Sequence, residues 1–257
     1  VLVSALNQPF ISNLKTRVMD NLNENQTTSL QSTDLMDAKL QRRAFLQYAG
    51  AGAAAMALVA AGCKKDRNPN MSFGATLDFK DDFGVLNYAY ALEQLEAAFY
   101  IKVASAPPST FTQAQVNYFK DVQFHEIAHR EFLKKVLGTA SIGNLEVDFS
   151  SINFSDGPSV LAAAKTFEDL GVAAYNGAGV RLKTDAYLVA AGQIVSVEAR
   201  HAAWVRDQIS NGSFADLSSL TGLGANVAGG LDAALTPDKV LNAASKYIKT
   251  KINVINL

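Results

Sequence analysis

Histidine occurs at only three positions, His125, His129 and His201, and two of these follow a glutamate by three residues. The motifs are Glu126-Ile127-Ala128-His129 and Glu198-Ala199-Arg200-His201. On an α-helix, residues three apart project from one face, so each motif sets a carboxylate beside an imidazole. Both lie in apolar stripes: Phe119, Val122, Leu133 and Val136 flank the first, and Leu188, Ala191, Ile194, Val195, Ala202 and Val205 the second. An ionised carboxylate on a buried face is costly unless something compensates it, and a metal ion does so. One such motif arises readily by chance, two together far less so. His125 sits a quarter-turn from Glu126 and is expected at the surface, as are Arg130 and Arg200.

Two other segments supply further carboxylates. Leu92-Glu93-Gln94-Leu95-Glu96-Ala97-Ala98-Phe99-Tyr100 aligns without gaps with Phe167-Glu168-Asp169-Leu170-Gly171-Val172-Ala173-Ala174-Tyr175. Each has a Glu and, seven residues on, a Tyr, two turns along one face. Each precedes a Glu-x-x-His by about thirty residues, so the chain repeats one helix-pair plan with approximate two-fold symmetry. The alignment makes Glu93 the counterpart of Glu168. Glu96 matches Gly171 and is the fallback first-helix ligand, one turn away.

These residues need four helices to hold them. The first is expected from about Asp81 to Val103, with Pro107-Pro108 forcing a short turn. The second opens with the capping pattern Thr112-Gln113-Ala114-Gln115 and stops at Gly138. Residues 139–157 lose the helical period, and alternating Leu145, Val147 and Phe149 predict an extended crossover with brief strand character. Asp156-Gly157-Pro158 starts a third helix running to about Val180. Its interior Gly171 marks close helix approach or room for a ligand, and Gly177 and Gly179 announce its end. Thr184 or Asp185 caps a fourth helix reaching about Ser210. The stretch 211–230 is loop, and Thr236-Pro237 opens a fifth helix to about Thr250. Two short turns and one long connection define an all-α, antiparallel four-helix bundle with an extra C-terminal helix.

Composition sets bounds around that plan. The 257 residues are 49% hydrophobic with a formal net charge of −1, which excludes a nucleic-acid binder dependent on a strong positive field. A single Cys rules out an internal disulfide framework and any thiolate cluster, leaving oxygen and nitrogen as metal ligands. Residues 1–38 read as disordered or as an upstream extension, with Met36 as the expected translation start. Segment 39–63 has the layout of an export signal: Arg42-Arg43, then an apolar run from Ala44 to about Ala61. The paired arginines with Phe45-Leu46 resemble a twin-arginine signal, and Val59-Ala60-Ala61-Gly62-Cys63 resembles a lipoprotein box with Cys63 as the lipidated residue. A retained transmembrane helix is the alternative. Residues 64–78 are expected as a polar tether, most clearly Lys64 to Asn70, with the folded domain starting near Phe73. The bundle is expected over 79–211 and a loop with a packed helix over 212–257.

The set Glu93, Glu126-x-x-His129, Glu168 and Glu198-x-x-His201 resembles the di-metal carboxylate site of the ferritin-like superfamily, for which this arrangement is the standing example. The wording around Glu168 and Glu198 is similar to the bacterial ferritin-like group related to desiccation-associated proteins. The resemblance covers about Asp81 to Asn211. It implies two iron or manganese ions, with Glu126 and Glu198 as bridges and the other four groups terminal. Tyr100 and Tyr175 either hydrogen-bond the ligands, supply an oxidisable ring, or simply pack. The implied function is an exported, periplasmic or membrane-anchored protein that uses dioxygen or peroxide to oxidise metal or decompose peroxide. The alternative is a structural or stress-protection bundle in which the metal only stabilises. A homo-oligomer fits either reading.

Overall fold

The computed structural model describes residues 74–257. The expected upstream extension, the export signal with Cys63 and the polar tether through Asn70 lie outside the described residues. Among the described residues, no helix is long and apolar enough to cross a membrane.

A short strand, β1 (Ala75–Asp78), leads into α1 (Asp82–Ser105). Asp81 caps α1, its carboxylate accepting from the Phe83 amide at 3.0 Å. Apolar and small residues surround this helix on every side, so it is buried nearly all round rather than along one stripe. The second helix, α2 (Gln113–Leu137), starts with the full Thr112/Gln115 capping box and ends at Gly138, whose φ of 54° suits glycine.

The crossover that follows is held by α1 rather than by a sheet. Asn87 donates to the Ala140 carbonyl at 2.9 Å and accepts from the Ile142 amide at 2.8 Å. Two turns along, Gln94 donates to the Gly143 carbonyl at 3.1 Å and accepts from the Leu145 amide at 2.8 Å. These amide side chains satisfy backbone groups that an extended segment would otherwise leave unpaired. The strand character expected here is limited to one antiparallel bridge, Val147 with Ile248.

Helix α3 (Gly157–Gly179) is capped by Asp156 and carries Pro158 in its first turn. Helix α4 (Asp185–Ile209) follows Thr184, whose side chain makes no capping bond. The Asp82 carboxylate serves there instead, accepting from the Lys183 and Thr184 amides at 2.8 and 2.9 Å. Helix α1 packs along α2, α3 along α4, and α1 also meets α3. The result is the expected helical bundle with its long crossover between the two pairs.

The C-terminal region departs from expectation. Helix α5 (Pro237–Ala244) ends well before Thr250; a 3-10 turn, Ser245–Tyr247, succeeds it. Then β2 (Ile252–Ile255) pairs in parallel with β1, Ala75 opposite Ile252. Residues 75–78, expected as the end of the polar tether, instead form one edge of this clasp. Leu77 is fully buried beneath it, and Tyr247 packs edge-on against Phe167 at 4.7 Å between ring centres. The segment before α5 lies directly on α3, with the Leu235 amide donating to the Ala173 carbonyl at 3.0 Å. A Cβ at Gly177 would stand 1.8 Å from the Leu235 carbonyl oxygen, so this glycine permits the contact.

Candidate metal centre

The four helices bring Glu93, Glu126, His129, Glu168, Glu198 and His201 into one cluster at the bundle centre. All four glutamates are 0% exposed, and His201 is buried. The ligating atoms form two groups, each spanning no more than 4.8 Å: Glu93, Glu126, His129 and Glu198 in one, and Glu126, Glu168, Glu198 and His201 in the other. Glu126 and Glu198 belong to both.

Distances show the two-fold plan. His129 Nδ1 lies 2.7 Å from Glu198 Oε1, 3.5 Å from Glu93 Oε2 and 3.6 Å from Glu126 Oε2. His201 Nδ1 lies 3.0 Å from Glu126 Oε1, 3.3 Å from Glu198 Oε2 and 3.5 Å from Glu168 Oε2. Each imidazole thus reaches most closely to the glutamate of the opposite motif, because α2 and α4 run antiparallel across the site.

Helices α1 and α3 are antiparallel for the same reason, and this decides what the tyrosines touch. The Tyr175 hydroxyl donates to Glu93 Oε1 at 2.5 Å, and the Tyr100 hydroxyl donates to Glu168 Oε1. Each tyrosine therefore holds the glutamate of the other helix, not the one two turns away on its own. The crossing also explains why Glu96 aligns with Gly171 in the repeat. The two positions face each other near the local two-fold axis, and a Cβ at Gly171 would lie 2.9 Å from Glu96 Oε1. Only one of them can carry a side chain. Glu96, the fallback ligand, is buried against Gly171 and belongs to neither ligand group.

Electrostatics show why the cluster calls for cations. Glu93 Oε2, both Glu126 oxygens, Glu168 Oε2 and Glu198 Oε1 are buried, with nothing to compensate them but imidazole nitrogens 2.7–3.6 Å away. Burial, reinforced by the negative charge of Glu198, drives Glu93 up and Glu126 well above the carboxylate range. Burial also lifts Glu168 to about 7, against the pull of His201. Glu198 goes the other way, to about 2, because His129 and His201 overcome its burial. Burial disfavours charge on both imidazoles, yet the surrounding carboxylates outweigh it and raise each to about 12. Protons thus stand where cations would relieve the same repulsion, and cation binding must release them. Two dications would neutralise the four carboxylates. The oxygen and imidazole donors suit iron or manganese and offer nothing soft. The residues therefore fit a two-cation centre.

The family model of the ferritin-like domain matches residues 81–211, more than half of the chain. The chain belongs to the ferritin-like domain family. A comparison with curated proteins returned no match. The ferritin-like segment spans α1 to α4 and includes all six clustered residues, while β1, α5 and β2 lie outside it.

Around the ferritin-like cluster, one contact departs from the sequence reading. His125 is exposed on one edge, as expected of a surface histidine, but its Nδ1 lies 2.9 Å from His201 Nε2, with the rings stacked at 11°. It occupies the outer nitrogen of His201 while Nδ1 of that ring faces the carboxylates. The signal was its i, i+4 spacing from His129, which puts it on the same face one turn away. Tyr118 adds a second clamp, donating to the His201 carbonyl at 3.1 Å and stacking on Trp204 at 3.7 Å. Arg200 is exposed and Arg130 half-buried.

Proposed function

We propose that this ferritin-like domain holds two divalent iron or manganese ions and uses them for redox chemistry with dioxygen or peroxide. One observation carries the reading: two overlapping four-residue groups share Glu126 and Glu198 around buried carboxylate oxygens whose only near partners are the two imidazoles. Glu93 and His129 would complete one ion's ligands, and Glu168 and His201 the other's. When bound, two ferrous or manganous ions supply one electron each, enough with two protons to take dioxygen to hydrogen peroxide or hydrogen peroxide to two waters.

The chain's own residues prepare that chemistry in distinct ways. Tyr100 and Tyr175 hold Glu168 and Glu93 by donated hydrogen bonds, leaving the second oxygen of each carboxylate for a cation. His125 fixes the ring of His201 from outside. The aromatic packing of Tyr100 on Phe99 and Phe119, at 5.2 and 5.5 Å, keeps water from that side of the cluster. Protons on the carboxylates and imidazoles leave as cations arrive, so loading should release acid and weaken as pH falls.

Adding ferrous iron to aerobic metal-free protein tests the reading. Rapid dioxygen or peroxide consumption, lost in Glu126→Ala, supports it. A rise in melting temperature with turnover no faster than buffer favours the structural or stress-protection alternative. We further propose that segment 39–63 directs export, with Cys63 lipidated; mass spectrometry of the native N-terminus would show an unprocessed chain if this is wrong.

A further inference from the structure

One turn from the cluster, towards the end where α1 and α4 begin, all four helices leave a cavity of about 30 Å³. Its walls include Ala89, Leu133, Tyr175, Ala178, Ala191 and Ile194. Ala89 lies four residues before Glu93, Leu133 four after His129, and Ile194 four before Glu198. Four residues are one helical turn, so on three helices the cavity begins roughly 5–6 Å along the axis from a proposed ligand. On α3 the link is direct: the ring of Tyr175 lines the cavity and its hydroxyl donates to Glu93.

The walls are hydrocarbon and aromatic. A water molecule needs two to four polar partners, and apolar cavities of this kind stay dry while binding nonpolar guests. The volume suits a small nonpolar guest such as a diatomic gas. The cavity is closed on the α1 side by buried Leu86 and Leu92. On the α2–α4 side it meets the surface between Phe132, which is 39% exposed, and half-buried Tyr187 and Ala190.

We propose that this cavity is an access and holding site for dioxygen, a binding site separate from the metal ligands. It follows, resting on the di-metal reading above, that dioxygen rather than hydrogen peroxide is the oxidant delivered to the centre. Hydrogen peroxide would have to give up its hydrogen bonds to water on entering such a space, and dioxygen has none to lose. In the step supported, dioxygen takes one electron from each of two ferrous ions and two protons, giving hydrogen peroxide and two ferric ions.

Two measurements test this. Crystals of the metal-free protein pressurised with xenon should show a xenon atom between Leu133, Tyr175 and Ala191; an empty cavity overturns the proposal without touching the di-metal reading. Ala191→Phe, or Ala178→Leu should the first fail to fold, fills the space. The filled variant should bind as much iron as the unmodified protein and oxidise it with dioxygen several-fold more slowly. Its anaerobic oxidation by added hydrogen peroxide should be unchanged. An undiminished dioxygen rate, or equal slowing with both oxidants, overturns the proposal. Failure of the unmodified protein to oxidise iron with either oxidant would instead overturn the redox reading of the centre, and the xenon result would stand apart from it.

Discussion

At the scale of single residues, Glu96 separates what the cluster requires from what sits beside it. Both its oxygens are buried and unpaired, and burial together with the charges of Glu198, Glu126, Glu93 and Glu168 holds its carboxyl well above the ordinary value of 4.5. A group with a raised folded pKa binds its proton more tightly folded than unfolded, so its contribution to stability falls as pH rises past 4.5. Glu96→Gln removes that loss. In the metal-free protein it should raise stability by on the order of 1–3 kcal/mol near pH 8, and by less near pH 5, in thermal melts. A gain that is the same at both pH values would show that Glu96 does not titrate in this way. The Glu-x-x-His pairs and the repeat that matched Glu93 to Glu168 were readable from spacing, because spacing on one helix fixes a face. The partners of Tyr100, Tyr175 and His125 were not. They depend on the antiparallel register between helices, which no single segment encodes.

At the scale of elements, α3 and α4 are joined by a buried ion pair that the sequence reading did not raise. Arg206 Nη1 lies 2.7 Å from Asp169 Oδ1, Lys165 Nζ lies 2.8 Å from Asp169 Oδ2, and both Asp169 and Arg206 are buried. Arg206 also donates to the Phe214 carbonyl at 3.3 Å, tying the following turn to the bundle. Asp169→Ala would leave the Arg206 charge buried without its partner and should cost about 3–5 kcal/mol, read as a lower denaturation midpoint. Lys165→Ala, whose side chain is 34% exposed, should cost no more than about 1 kcal/mol. Equal costs would mean that burial of the pair is not what matters. The Lys165–Asp169 spacing of i, i+4 was visible in the sequence, but it reads as an ordinary surface pair until Arg206 is placed beside it. Helix starts were more legible, since Thr112 and Asp156 act locally on the amides three residues ahead. The end of α5 was not, because Ser245–Tyr247 tightens into a 3-10 turn to seat Tyr247 on Phe167.

At the scale of the whole molecule, the bundle is closed by pairing of its two ends. β1 and β2 are four residues each, too short for a periodic signal, and their partner lies at the far end of the chain. The Phe79 amide donates to the Ile255 carbonyl at 3.0 Å, and the Asn256 side chain donates to Asp78 at 2.8 Å. The clasp lies outside the matched ferritin-like segment, which explains why only the central four helices carried the resemblance. Within that segment, two helix pairs of one plan bring two groups of carboxylate and imidazole side chains together about the shared Glu126 and Glu198. Counting bound ions tests this most directly. Metal-free protein titrated anaerobically with ferrous or manganous ion should take up two ions per chain. His129→Ala should take up one, since Glu126, Glu168, Glu198 and His201 remain together. Binding of a single ion by the unmodified chain, or an unchanged count in His129→Ala, would contradict the account.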